Sequence, residues 1–132
     1  MSGGWCLFKR RVDIMEKVKP HLSHPDKNTR QAAITLFLNY SIYYLSKEDL
    51  EGRSQGIQIL SEVSSKETDL HNLLRLATAL GNFCHKYEEG VALIMSLGVT
   101  FTPMSQVVSS GTPEDEKNKQ TIMEIAASLA IS

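Results

Sequence analysis

The chain has 132 residues, 42% of them hydrophobic, with 14 Lys plus Arg against 15 Asp plus Glu and a formal net charge of -1. That is about one domain's length with enough apolar content for a core, which excludes a disordered chain, and the near-neutral balance argues against partners such as nucleic acid or an anionic membrane wrapped over the whole surface. Two cysteines, Cys6 and Cys84, are too few for a secreted disulfide framework, no apolar run approaches the ~18 residues of a spanning helix, and residues 1–11 lack the apolar stretch of a secretory signal.

In chain order, Val12, Met15, Val18 and Leu22 recur at helical spacing, with Pro20 expected to weaken the last turn. His24-Pro25-Asp26 breaks the pattern, and Asp26 or Asn28 is placed to cap a second helix. Residues 29–45 carry apolar side chains on nearly every side (Ala33, Ile34, Leu36, Phe37, Leu38, Ile42, Tyr43 and Leu45), which predicts a central helix packed all round. Ile57, Leu60 and Val63 mark a shorter helix from near Leu50, in which Gly52 and Gly56 lower the intrinsic propensity. Thr68 and Asp69 can cap the next helix, whose apolar face is Leu70, Leu73, Leu74, Ala77, Leu80 and Phe83. Residues 88–97 form a short helix that Gly98 should end. Residues 100–115, rich in Ser, Thr, Gly and Pro, read as a loop that closes on a helix start at Thr112-Pro113-Glu114-Asp115. Ile122, Ile125, Ala126 and Leu129 make the last stripe. No alternating strand pattern occurs, so the expectation is an all-α chain of about six helices.

Two segments align without gaps at an offset of 43 residues: Ala32–Ser41, AAITLFLNYS, and Arg75–Cys84, RLATALGNFC. Thr35 meets Thr78, Asn39 meets Asn82, and Tyr40 meets Phe83. The same step reaches Asn118–Ala127, NKQTIMEIAA, with Thr121 in register and Ile125 in place of the Asn. A period of ~40–47 in a helical chain is the range of armadillo and HEAT repeats, so the expected architecture is an armadillo/HEAT-like solenoid of about three repeats.

The register aligns polar residues on the most apolar helices. Arg75, Thr78 and Asn82 share one face, as do Gln31, Thr35 and Asn39 one repeat earlier. In a solenoid such a stripe reaches solvent in the groove lined by the inner helices. Asn amides there suit an extended peptide, since one side chain both donates to a backbone carbonyl and accepts from an N–H. Arg75, set between leucines, needs an anionic or hydrogen-bonding partner, because a buried charge is costly alone. That partner is either a ligand carboxylate or an internal acid such as Glu67, and the asparagines either meet a ligand or brace neighbouring loops.

The runs NTRQAAITLFLNYSI, EGRSQGIQILSEV, DLHNLLRLATALGNF and ALIMSLGV make the chain similar to the PUL domain, the C-terminal domain of the phospholipase A2-activating (ubiquitin-fusion-degradation) family. The most specific pieces are LNYS at Leu38–Ser41, the Glu51-Gly52 pair, RLxxALGN at Arg75–Asn82 and SLGV at Ser96–Val99. The resemblance assigns residues 10–132 to the C-terminal half of a PUL domain and leaves residues 1–9 as an extension outside it. It implies an armadillo-like fold, a cytoplasmic and nuclear protein of the ubiquitin pathway, and one partner: the acidic C-terminal tail of the valosin-containing AAA ATPase. Arg75 matches a groove arginine of the family, and Asn39 and Tyr40 match its LNYS motif. A second groove arginine, expected from the missing half, has no counterpart.

The histidines and cysteines form no metal-binding spacing. His21, His24, His71 and His85 form no HExxH, and CxxC is absent. Cys84 and His85 are adjacent and so point to different sides of a helix. Lys9-Arg10-Arg11 reads as a solvated helix start and Glu114-Asp115-Glu116 as a favourable first turn. The expectation is a peptide-binding module with no cofactor and no enzymatic role. The alternative is a structural fragment that self-associates through an exposed solenoid end.

Overall fold

Four of the described helices begin where a short side chain accepts a backbone N–H. A computed structural model, which describes residues 13–131, shows helical residues 13–18 (α1), then α2 (Lys27–Tyr44), α3 (Leu50–Ser61), α4 (Leu70–Phe83), α5 (Glu88–Leu97) and α6 (Pro113–Ser128). Asp26, Asp49, Asp69 and Thr112 each accept from the N–H three residues on, at 3.0, 3.1, 2.9 and 3.1 Å. Such caps are worth ~1 kcal/mol apiece. The caps of α2, α4 and α6 fall at positions 26, 69 and 112, which is the 43-residue offset of the sequence.

Breakers act where the sequence places them. Around Pro20 the chain tightens into a 3-10 turn over Lys19–Ser23 instead of continuing α1. Gly98 ends α5 in the left-handed region, at φ 63°. The loop after α5 includes one 3-10 turn, Met104–Gln106, and is pinned by buried Phe101, Thr102 and Val107. The one β contact among the described residues is an isolated bridge between Asp69 and Val108.

Packing arranges the helices in two rows. In one row α2 lies against α4, and α4 against α6. In the other, the 3-10 turn covers α2, while α3 packs on both α2 and α4 and carries α5. The described chain is all-helical and built as a helical repeat solenoid. Its core joins Ile34 and Phe37 of α2, Leu73, Leu76, Leu80 and Phe83 of α4, Ile57 and Leu60 of α3, and Ile122 of α6, all with no exposed surface.

Two sequence expectations change here. The first concerns α2, which is not packed all round: Ala32 and Asn39 are exposed and Ile42 keeps 53% of its surface. Among the described residues α4 flanks it on one side and no helix of its own row on the other. Its open flank forms a shallow apolar groove that Val18, Ala32 and Leu36 help to line. The second concerns Gly52 and Gly56, whose cost in helix propensity has a packing counterpart. A Cβ at Gly56 would lie 2.5 Å from the Phe83 ring, and one at Gly52 would collide with Tyr44. The two glycines let α3 settle onto these aromatic rings, whose centroids are 5.8 Å apart.

Candidate peptide-binding face

The contacts around Glu67 decide what Arg75 is left to do. Glu67 is buried and grips Arg30 of α2 with both oxygens, at 3.0 Å to Nε and 3.2 Å to Nη2. Its Oε2 also accepts from Asp69 N–H at 3.0 Å, and its Oε1 from Asn72 Nδ2 at 3.4 Å. Arg30 Nη1 donates to the carbonyls of His24 and Pro25. The Glu67 hydrogen bonds hold the Arg30 guanidinium above its ordinary pKa, against the opposing effect of burial. This overturns the pairing of Arg75 with Glu67, since the acid is already neutralised by an arginine from the neighbouring helix.

Arg75 is half-buried on α4, where its Nη1 donates to Asn72 Oδ1 at a long 3.4 Å. No carboxylate among the described residues pairs with it. Asn72 Nδ2 donates to the Lys27 carbonyl and to Glu67, so the one contact of Arg75 is to the oxygen of a neutral amide fixed by those bonds.

The other candidates divide between open and bracing positions. Thr78 donates back to the Leu74 carbonyl at 2.8 Å, and Thr121 repeats this at Lys117, 3.1 Å. Asn82 donates through Nδ2 to Ser41 Oγ at 3.1 Å, and Ser41 donates to the Leu38 carbonyl at 2.6 Å. Ser41 is fully buried, so Asn82 stitches α4 to α2, and its amide oxygen faces no donor among the described residues. Asn39 is exposed, while Thr35 and Tyr40 are half-buried on the same helix. Thr35, Asn39 and Tyr40 on α2 and Arg75, Thr78 and Asn82 on α4 thus belong to two directly packed helices. Asn118 and Thr121, half-buried, continue the register on α6.

One buried cation escaped the sequence reading. Arg53, from α3, is 5% exposed and spends its whole guanidinium on carbonyls at the ends of α2 and α4. Its Nη1 donates to Phe83 O at 3.1 Å and His85 O at 2.7 Å, its Nη2 to Lys47 O at 3.1 Å and to Tyr44 O, and its Nε to Lys47 O at 3.3 Å. A cation at two helix C-termini also meets the negative ends of both dipoles. Its only sequence signal is a lone arginine between two glycines, and periodicity does not mark that.

Cys84 is buried, and burial pushes its thiol up to about 11, with Arg53 pulling the other way. At neutral pH it is a protonated, inert side chain. Cys6 and Lys9-Arg10-Arg11 lie outside the described residues. Among the described residues no group of His, Cys, Asp and Glu could hold a metal ion, and no helix is long and apolar enough to cross a membrane.

Comparison with known proteins gives two similarities. The family model of the PUL domain matches residues 2–128, a stretch that runs through the segment 1–9 set apart above. The phospholipase A-2-activating protein of Xenopus laevis is 33% identical over 97 residues, which is 74% of this chain and 12% of that protein. The chain therefore spans a small part of the length of that relative. No solved structure matches.

Proposed function

The chain belongs to the PUL domain family, and from that membership we propose that it is a protein-interaction module of ubiquitin-dependent degradation, working in the cytoplasm and nucleus. Its ligand is the acidic C-terminal tail of the valosin-containing AAA ATPase, held along the face that α2 and α4 share. The observation that carries this reading is Arg75: a half-buried guanidinium between leucines, hydrogen-bonded only to an amide, with Glu67 consumed by Arg30 and Asp69 by the helix cap and Lys27. A peptide carboxylate is the partner it lacks. The guanidinium fork accepts a carboxylate in a bidentate fashion, which a lysine does not do.

The asparagines supply the sequence-independent part of recognition. Asn39 is exposed and Asn82 keeps its amide oxygen open, so both can meet backbone groups of an extended chain. The overall charge of -1 does not oppose an acidic ligand locally, because Glu67 is neutralised within the fold. In this role the chain binds and does not catalyse.

Titration of the ATPase tail peptide into the wild-type chain and into Arg75→Ala tests the reading. Loss of a charge-assisted contact should cost ~1.5–3 kcal/mol, about tenfold or more in affinity. Equal affinity for both proteins would remove Arg75 from the site, and absence of binding by either would sink the reading for this chain. Raising salt should weaken binding, since the contact is half-exposed.

One observation favours a second reading, self-association through the open flank of α2, where Val18, Ala32 and Leu36 line an apolar groove. A dimer that survives dilution and ignores the tail peptide would select it.

A further inference from the structure

The sequence contains two Thr-Pro pairs, Thr102-Pro103 and Thr112-Pro113, and the fold treats them in opposite ways. Thr102 is 2% exposed. Its hydroxyl donates to the carbonyls of Ser64 at 3.1 Å and Glu67 at 2.6 Å, and its N–H donates to Ser64 O at 2.9 Å. Presenting Thr102 would break all three bonds and draw buried Phe101 out of the core. Thr112 is exposed, as are Ser110 and Gly111 before it and Pro113 and Glu114 after it. Its backbone is already extended, at φ -71° and ψ 158°, and its Oγ1 is engaged only as the acceptor of Asp115 N–H, at 3.1 Å.

We propose that Thr112 is a phosphorylation site for a proline-directed Ser/Thr protein kinase, and that Thr102 is closed to the same enzyme. Such kinases select a proline after the acceptor because it offers a ring and no N–H. Pro113 is the first residue of α6, so docking the segment requires only the first helical turn to open. Opening that turn gives up the Thr112 cap and the hydrogen bonds that Asp115 accepts from Ser109 and Ser110, but draws no large apolar side chain out of the core. In the transfer, Thr112 Oγ1 attacks the γ-phosphorus of ATP, the bond to ADP breaks, and the hydroxyl proton passes to the kinase's aspartate.

The test is incubation of the whole chain with an active cyclin-dependent or mitogen-activated kinase and Mg-ATP, read by tandem mass spectrometry. Phosphate is expected on Thr112 and not on Thr102. It should be lost in Thr112→Ala and strongly reduced in Pro113→Ala, which keeps the acceptor. A free peptide of residues 98–107 should take phosphate on Thr102, showing that burial rather than sequence protects that pair. No phosphate on Thr112 of the folded chain, equal modification of Thr102, indifference to Pro113→Ala, or an inert 98–107 peptide would each overturn the proposal.

Discussion

Arg53 and Arg75 share a residue type and face opposite circumstances. Arg53 reaches from α3 to the far ends of α2 and α4, where five donor contacts to four carbonyls consume its guanidinium. Arg75 lies within α4 and makes one long contact to an amide. The first ties helix ends together, and its charge is spent inside the fold. The second keeps a charge that the fold does not neutralise. What separates a spent arginine from an available one is the count of partners that folding supplies.

The largest expected effect tests the structural side of this contrast. Arg53→Ala takes the guanidinium from four carbonyls, of which Tyr44 O keeps the Lys47 N–H, and at ~1–3 kcal/mol for each group left unsatisfied the loss should be about 3 kcal/mol. Urea unfolding measures it, and a loss below about 1 kcal/mol would mean that water replaces the guanidinium without penalty. Next comes Glu67→Gln, which keeps the shape but leaves Arg30 facing a neutral amide. A destabilisation of ~2 kcal/mol is expected, short of the 3–5 kcal/mol for deleting one partner of a fully buried pair. Tail-peptide affinity should change little in that variant, because Glu67 reaches Arg75 only through Asn72, by two long contacts of 3.4 Å.

Arg75→Ala sharpens the comparison from the other side. Its unfolding free energy should move by less than about 0.5 kcal/mol, as for surface changes without a special contact. A large stability loss would place Arg75 in the same class as Arg53.

The smallest effect belongs to Asp115, whose carboxylate is held below the usual range first by the Ser110 hydroxyl, then by the Ser110 N–H, with Ser109 adding a third donor. A carboxylate favoured in its charged form stabilises the fold above its unfolded pKa, ~3.9 for Asp, and loses that contribution as pH falls through the lower folded value. Asp115→Asn should therefore flatten the acid limb of the stability curve below about pH 4 and leave its slope near neutrality unchanged. An acid limb that keeps its slope would show that the Ser109–Ser110 clasp does not act through charge.

Much of the fold was legible in the chain because its signals are local. Asp26, Asp69 and Thr112 cap by reaching three residues ahead, Pro20 and Gly98 act within a single turn, and the 43-residue offset marks helices that occupy equivalent places. The candidate site was half legible: spacing puts Arg75, Thr78 and Asn82 on one face, but Asn82 reaching Ser41 across 41 positions is not written in either helix. The PUL resemblance carried by LNYS and RLxxALGN coincides with the family whose model matches residues 2–128.

The sequence by itself determined which segments are helical, where they start, and which family the chain joins, since capping, propensity and periodicity depend on neighbours a few positions away. Only the tertiary structure decided which charges are spent. Arg30 meets Glu67 at a separation of 37 positions and Arg53 meets Phe83 at 30, and the threonine of one Thr-Pro pair is buried while that of its twin stays open. These outcomes turn on desolvation and on which elements come to lie side by side. Both are properties of the packed whole, so no local pattern encodes them.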